Sequence, residues 1–117
     1  MHKASVPFMT GTDVPGAYTY PGFSLHDELA LFVQTGFSPM TALQAATVNP
    51  AKYLNLSDKL GTVEKGKIAD LILLEANPLE NIGNTKRINA VIANGQFLPR
   101  ESLDKMLADV EAKAKRK

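Results

Sequence analysis

The chain has no cysteine in its 117 residues, which excludes disulfides, thiolate metal ligation and a cysteine nucleophile together. The same absence leaves the redox compartment undetermined. No apolar run approaches the roughly 20 residues that span a bilayer. Met1-His2-Lys3 leads into about six mostly apolar residues, too few for the core of a signal peptide, so the expected location is cytoplasmic. Charge of either sign is scarce in excess: 13 Lys and Arg stand against 12 Asp and Glu, a formal net charge of +1. That balance gives no electrostatic reason to expect nucleic acid or an anionic membrane as partner. HExxH, GxSxG and a glycine-rich phosphate loop are all missing. The two histidines, His2 and His26, lie far apart. What is present is ordinary for a globular chain, 44% hydrophobic and 21% charged, long enough for one domain with a modest core.

Four parts can be read along the chain. Residues 5–10 predict a buried strand, with Pro7 arguing against a central place in an antiparallel ladder because it lacks a donor. Val14 to Gly22 is a loop of Pro, Gly and Tyr. Ser24 with Asp27 resembles a capping box, followed by Leu25, Leu29, Phe32 and Val33 at helical spacing and a stop at Gly36. Ser38 caps a second helix with Pro39 at its first position, and Met40, Leu43, Ala46 and Thr47 form its inner face. Asn49-Pro50 breaks that helix and starts a further turn.

The third part is β-rich. Gly61 and Gly66 punctuate short strands or turns, and Leu71-Ile72-Leu73-Leu74 reads as a strand covered on both faces. Residues 88–93 predict another strand, and Asn94-Gly95 turns it into a hairpin. A terminal helix begins at Pro99, its stripe being Leu103, Met106, Leu107, Val110 and Ala114. Glu101–Lys105, Asp109–Lys113 and Glu111–Lys115 are favourably ordered pairs.

Asp13 is the most informative acid. It ends Ser5-Val6-Pro7-Phe8-Met9-Thr10-Gly11-Thr12-Asp13, an apolar run stopping on Gly-Thr-Asp, which suits a strand that delivers a carboxylate to a site at its tip. Gly11 lets backbone or substrate approach closely. The same residues also fit an Asp that merely caps a strand or starts a turn. Tyr18 and Tyr20 belong to a loop placed for substrate contacts. His26, in the first turn of the next helix, joins them as a substrate-contact candidate facing the same mouth, although the same position also fits a solvated helix surface.

Two rival readings are weak. The helices joined by Gly36-Phe37-Ser38 have helix-turn-helix spacing, but residues 39–48 carry only Gln44 for base edges and no cation for phosphates. The closing Lys113, Lys115, Arg116 and Lys117 suit the carboxyl end of a helix dipole better than a nucleic-acid tail.

Taken in order, Gly11-Thr12-Asp13, His26-Asp27-Glu28-Leu29, the run from Gly36 to Ala51, Leu60 to Leu71 and Val91-Ile92-Ala93-Asn94-Gly95 resemble the carboxyl-terminal portion of an amidohydrolase. The likeness is to the imidazolonepropionase-like and Xaa-Pro dipeptidase-like branch and runs from about Ser5 to Leu98. It implies an α/β fold: the last strand and helices of a metal-dependent hydrolase TIM barrel over residues 1–58, part of a small β-sandwich over 59–98, and an amphipathic helix over 99–117. It also implies that Asp13 is both catalytic and metal-proximal, taking the proton from the attacking water. A divalent metal, zinc foremost, is implied in the complete enzyme, and the fragment alone need bind none.

The family's His-x-His, carboxylated lysine or Glu, and further histidines are absent from this chain. A complete barrel takes about 250 residues. The expected function is therefore a hydrolase segment for amide or peptide-like C–N bonds, acting on a small-molecule or dipeptide-like substrate and inactive as an isolated chain. It is expected to self-associate or to need the rest of the barrel. A non-catalytic interaction or structural domain derived from an amidohydrolase is the alternative.

Overall fold

The computed structural model describes residues 6–116. The first residue of the expected strand, Ser5, and the last of the basic tail, Lys117, lie outside them. Helices α1 (Ser24–Gln34), α2 (Pro39–Ala46) and α3 (Val48–Tyr53) come first, then strand β1 (Leu71–Leu74) and a 3-10 helix (Ile82–Lys86). Strands β2 (Ile88–Ala93) and β3 (Gln96–Pro99) and helix α4 (Arg100–Ala114) complete the order.

The helical layer follows its sequence signals with instructive exceptions. Gly36 ends α1 at φ +101°, while the N–H of Phe37 returns to the Phe32 carbonyl. Ser38 caps α2 as expected: its Oγ accepts the Thr41 N–H at 3.1 Å, and Pro39 is the first helical residue. The Ser24–Asp27 capping box does not form. Phe23 enters α1 already in helical backbone (φ −103°, ψ −47°), so Ser24 is inside the helix, where its Oγ accepts from the Tyr20 N–H at 2.7 Å. Asp27 is drawn instead to Lys86 Nζ at 2.6 Å.

The break between α2 and α3 falls at Thr47 (φ −129°, ψ −73°), not at Asn49-Pro50. A proline ring clashes with the carbonyl four residues earlier in a continuous helix, here Ala46, so the chain must leave helical geometry before Pro50. The inner face of α2 is also displaced from the expected one. Ala42 and Ala45 are fully buried while Met40 is 48% exposed. Small side chains let α2 approach its neighbours closely, and the core gathers as Leu29, Ala42 and Ile82, with Phe32, Val33 and Leu43 packed around them.

No strand forms over residues 6–10. A strand needs a lateral partner, and this segment spends its hydrogen bonds on helices. The Thr10 N–H reaches the Ala45 carbonyl at 3.1 Å, and Asn49 Nδ2 donates to the Phe8 carbonyl at 2.8 Å. Phe8 anchors it further, its ring 5.2 Å from that of Phe32 and 4.5 Å from that of Phe37. Residues 60–70 likewise run as turns and bends without a strand.

The sheet is antiparallel, in the order β1-β2-β3. Leu71 stands opposite Ile92 and Leu73 opposite Ala90, with an irregularity before Leu74. β1 is an edge strand, and it is not covered on both faces: Ile72 and Leu73, adjacent residues that point to opposite faces, keep 48% and 44% of their surface. Asn94 and Gly95 both take positive φ (+48° and +81°), the geometry of a type I′ turn, and bring Gln96 opposite Ala93. α4 packs on β2 and β3 through one side but buries no residue completely. Its Glu111–Lys115 pair forms as the spacing predicts.

Candidate functional site

The segment that ends at Asp13 is held from two sides. Beyond the bonds from Thr10 and to Phe8, the Gly11 N–H donates to Glu28 Oε1 at 2.8 Å, which ties it to α1. Asp13 follows in left-handed backbone (φ +51°), exposed to solvent. No atom of the described residues lies within 4 Å of where a Cβ on Gly11 would stand, so no backbone of this chain approaches it closely. Gly16 is the crowded one: a Cβ on it would lie 3.0 Å from the Asp13 carbonyl oxygen and 3.2 Å from Thr19 Oγ1.

Thr19 closes the loop after Asp13. Its Oγ1 accepts the Gly16 N–H at 2.7 Å and donates to the Gly16 carbonyl at 2.9 Å. Tyr18, at φ +64°, is presented almost entirely to solvent (93% exposed), and Tyr20 is also exposed. Asp13, Tyr18 and Tyr20 are therefore carried by one short, internally bonded loop.

His26 belongs to a different face. Residues two apart on a helix point about 200° apart, and Glu28 is the one that reaches the Asp13 segment. His26 Nδ1 instead lies 3.0 Å from Oγ1 of Thr85, a residue only 2% exposed on the 3-10 helix. Burial lowers the His26 pKa below its usual value of 6.5; Lys86 lowers it further, and Asp27 acts in the opposite direction.

Glu28 is the residue that sequence reasoning passed over, although it appears within the His26-Asp27-Glu28-Leu29 run. The signal was available: Glu28 sits three residues after Leu25 and four before Phe32, a charge on the apolar side of α1. Its Oε2 is buried with no hydrogen-bond partner among the described residues.

Among the described residues, no group of three or more His, Cys, Asp or Glu side chains is placed to hold a metal ion. A hydrolytic metal needs several protein ligands and an open position, so these residues alone do not fit one. No helix among them is long and apolar enough to cross a membrane.

Comparison with known proteins agrees with this architecture. The profile of the amidohydrolase family matches residues 1–98, and the chain belongs to that family. Adenine deaminase 4 of Rhizobium meliloti is 35% identical over 77 residues, 66% of this chain and 12% of that protein. Imidazolonepropionase of Thermoplasma acidophilum is 52% identical over 40 residues, 34% of this chain and 10% of that protein. Among solved structures, a protein of Bifidobacterium longum assigned as a prolidase superposes with a TM-score of 0.75 at 36% identity, covering 92% of this chain and 28% of that one. A Xaa-Pro dipeptidase with bound methionine gives a TM-score of 0.60 at 39% identity, over 63% of this chain and 18% of that one. The chain spans only 8–13% of the length of the adenine deaminases it matches. Its α/β architecture with a small antiparallel sheet thus corresponds to a part of the amidohydrolase fold.

Proposed function

We propose that this chain supplies the Asp13 corner of a metal-dependent hydrolase site for amide or peptide-like C–N bonds. In this reading Asp13 takes the proton of the attacking water. The remaining polar groups, with the ligands of a divalent metal, zinc foremost, come from polypeptide outside this chain. The observation that carries it is the presentation of Asp13: an exposed carboxylate at the end of a segment fixed by Glu28, Ala45 and Asn49. Family membership supports the hydrolase class. The names of the relatives range over adenine, imidazolonepropionate and Xaa-Pro dipeptides, so the proposal fixes a bond type and not a substrate.

Within this reading, residues 6–13 and α1–α3 stand where the last strand of a barrel meets its outer helices, the sheet belongs to a small sandwich, and Tyr18 and Tyr20 contact substrate. The open edge of β1, with Ile72 and Leu73 exposed, supports self-association or cover by the rest of a barrel. A monomer by light scattering at high micromolar concentration, with no bound partner, counts against that part.

The activity test uses the purified chain with zinc or manganese and with dipeptide and cyclic amide substrates. The expected result is no turnover by the chain alone, and turnover on assembly with a barrel segment bearing His-x-His, abolished by Asp13→Asn. Robust turnover by the isolated chain, or assembled turnover that survives Asp13→Ala, overturns the proposal.

A further inference from the structure

A cleft of about 520 Å³ opens between the start of α1, strand β2 and α4. Phe23, Val91, Leu103, Met106 and Leu107 make its walls largely apolar, and His26 lines it as well. A volume of this size is in the range of small-molecule sites, which typically pair an apolar wall with a few placed polar groups.

Counting protons and charges identifies the polar group on offer. Lys86 is engaged by Asp27 at 2.6 Å. Arg100 directs Nε and Nη2 to Asp104 and Nη1 to the Ile88 carbonyl. The cations at the rim are therefore committed within the chain.

His26 is different. The Thr85 hydroxyl has one proton, and it is donated to the Ile82 carbonyl at 2.9 Å. The 3.0 Å contact between Thr85 Oγ1 and His26 Nδ1 then requires the proton to be on Nδ1. In the neutral ring Nε2 carries a lone pair, and it is the ring nitrogen not engaged by Thr85. The downward pKa shift from burial and from Lys86 favours that neutral form.

We propose that this cleft binds a neutral aromatic molecule with a single O–H or N–H donor, which bonds to His26 Nε2 while its rings lie against Phe23, Met106 and Leu107. A charged ligand would meet rim charges already paired, and a purely apolar one would leave Nε2 desolvated without a donor. Thioether contact from Met106 favours an aromatic over an aliphatic body. The site does not depend on whether Asp13 serves a hydrolase.

The test compares naphthol with its methyl ether, which has the same rings and no donor, each titrated into the full chain and followed by ligand fluorescence. Saturable binding of naphthol is expected, about tenfold tighter than the ether. His26→Asn keeps a donor for Thr85 and removes the second ring nitrogen, so it should abolish the preference. Nitrogen NMR of the imidazole in the unsubstituted chain should report the Nδ1–H tautomer. If His26→Asn fails to fold, the ligand pair and the NMR signal still decide. Equal affinity for both ligands, no saturable binding, a preference that survives His26→Asn, or an Nε2–H tautomer overturns the proposal. So does naphthol binding that weakens as the protein dimerises, which would give the cleft to a second copy.

Discussion

Glu28 Oε1 accepts the backbone N–H of Gly11 at 2.8 Å across 17 residues of sequence, joining α1 to the segment that carries Asp13. Replacing Glu28 with Ala removes that acceptor and should destabilise the chain by about 1 kcal/mol. Glu28→Gln keeps a carbonyl oxygen for Gly11 and should retain most of the stability. Urea denaturation of the three proteins measures the order. Equal loss in both variants would show that the carboxylate, and not the Gly11 bond, is what matters.

Gly61 and Gly66 share nearly the same backbone, φ +92° and +91°, but not the same surroundings. A Cβ on Gly61 would come 2.8 Å from Ala51 Cβ and 3.2 Å from the Thr47 carbonyl oxygen, whereas one on Gly66 meets nothing within 4 Å. Gly66→Ala should cost about 1 kcal/mol from backbone strain alone. Gly61→Ala adds a clash with packed backbone and should cost about 2–4 kcal/mol. Thermal unfolding of the two variants separates strain from crowding.

His26 gives the fold a dependence on acid. Its folded pKa lies below the unfolded value of 6.5, so folding favours the neutral ring. Stability from this group is fully present above pH 6.5, falls as pH drops below it, and levels off beneath the folded pKa. Lys86 is the neighbouring charge that opposes protonation and Asp27 the one that assists it. Urea midpoints measured between pH 7.5 and 5 should decline in the parent, and the part due to His26 should vanish in His26→Gln. An unchanged slope would remove His26 as the cause.

Ser38→Ala should cost about 1 kcal/mol, because the Thr41 N–H loses its acceptor at the start of α2. Ser38→Asp should recover most of it, since Asp is an equally good cap. Denaturant titration at constant pH reports both. A neutral Ser38→Ala would mean that Pro39 alone fixes the helix start.

Local rules account for much of what the sequence revealed. Ser38-Pro39, Gly36 and Asn94-Gly95 each specify a backbone geometry within a few residues, and each appears where its chemistry places it. The ordered motifs from Gly11 to Gly95 likewise led to the amidohydrolase family, which the match over residues 1–98 establishes. The expected strand at residues 5–10 was less legible. A short apolar run can indicate a buried segment, but whether its backbone pairs with a strand or with helices depends on what lies beside it. The double coverage expected for Leu71–Leu74 met the same limit, because covering an edge strand depends on elements distant in the chain.

The candidate site divides in the same way. The sequence by itself determined Asp13 at the end of its Gly-Thr-Asp run, the tyrosines of the following loop, and the approximate extents of the helices, because these rest on residue type and short spacing. Only the tertiary structure turned Glu28 toward Gly11, placed His26 on buried Thr85, drew Asp27 to Lys86, and opened the cleft beneath α4. Those relationships join residues between 17 and 59 positions apart. Long-range packing, which no local pattern encodes, decides them.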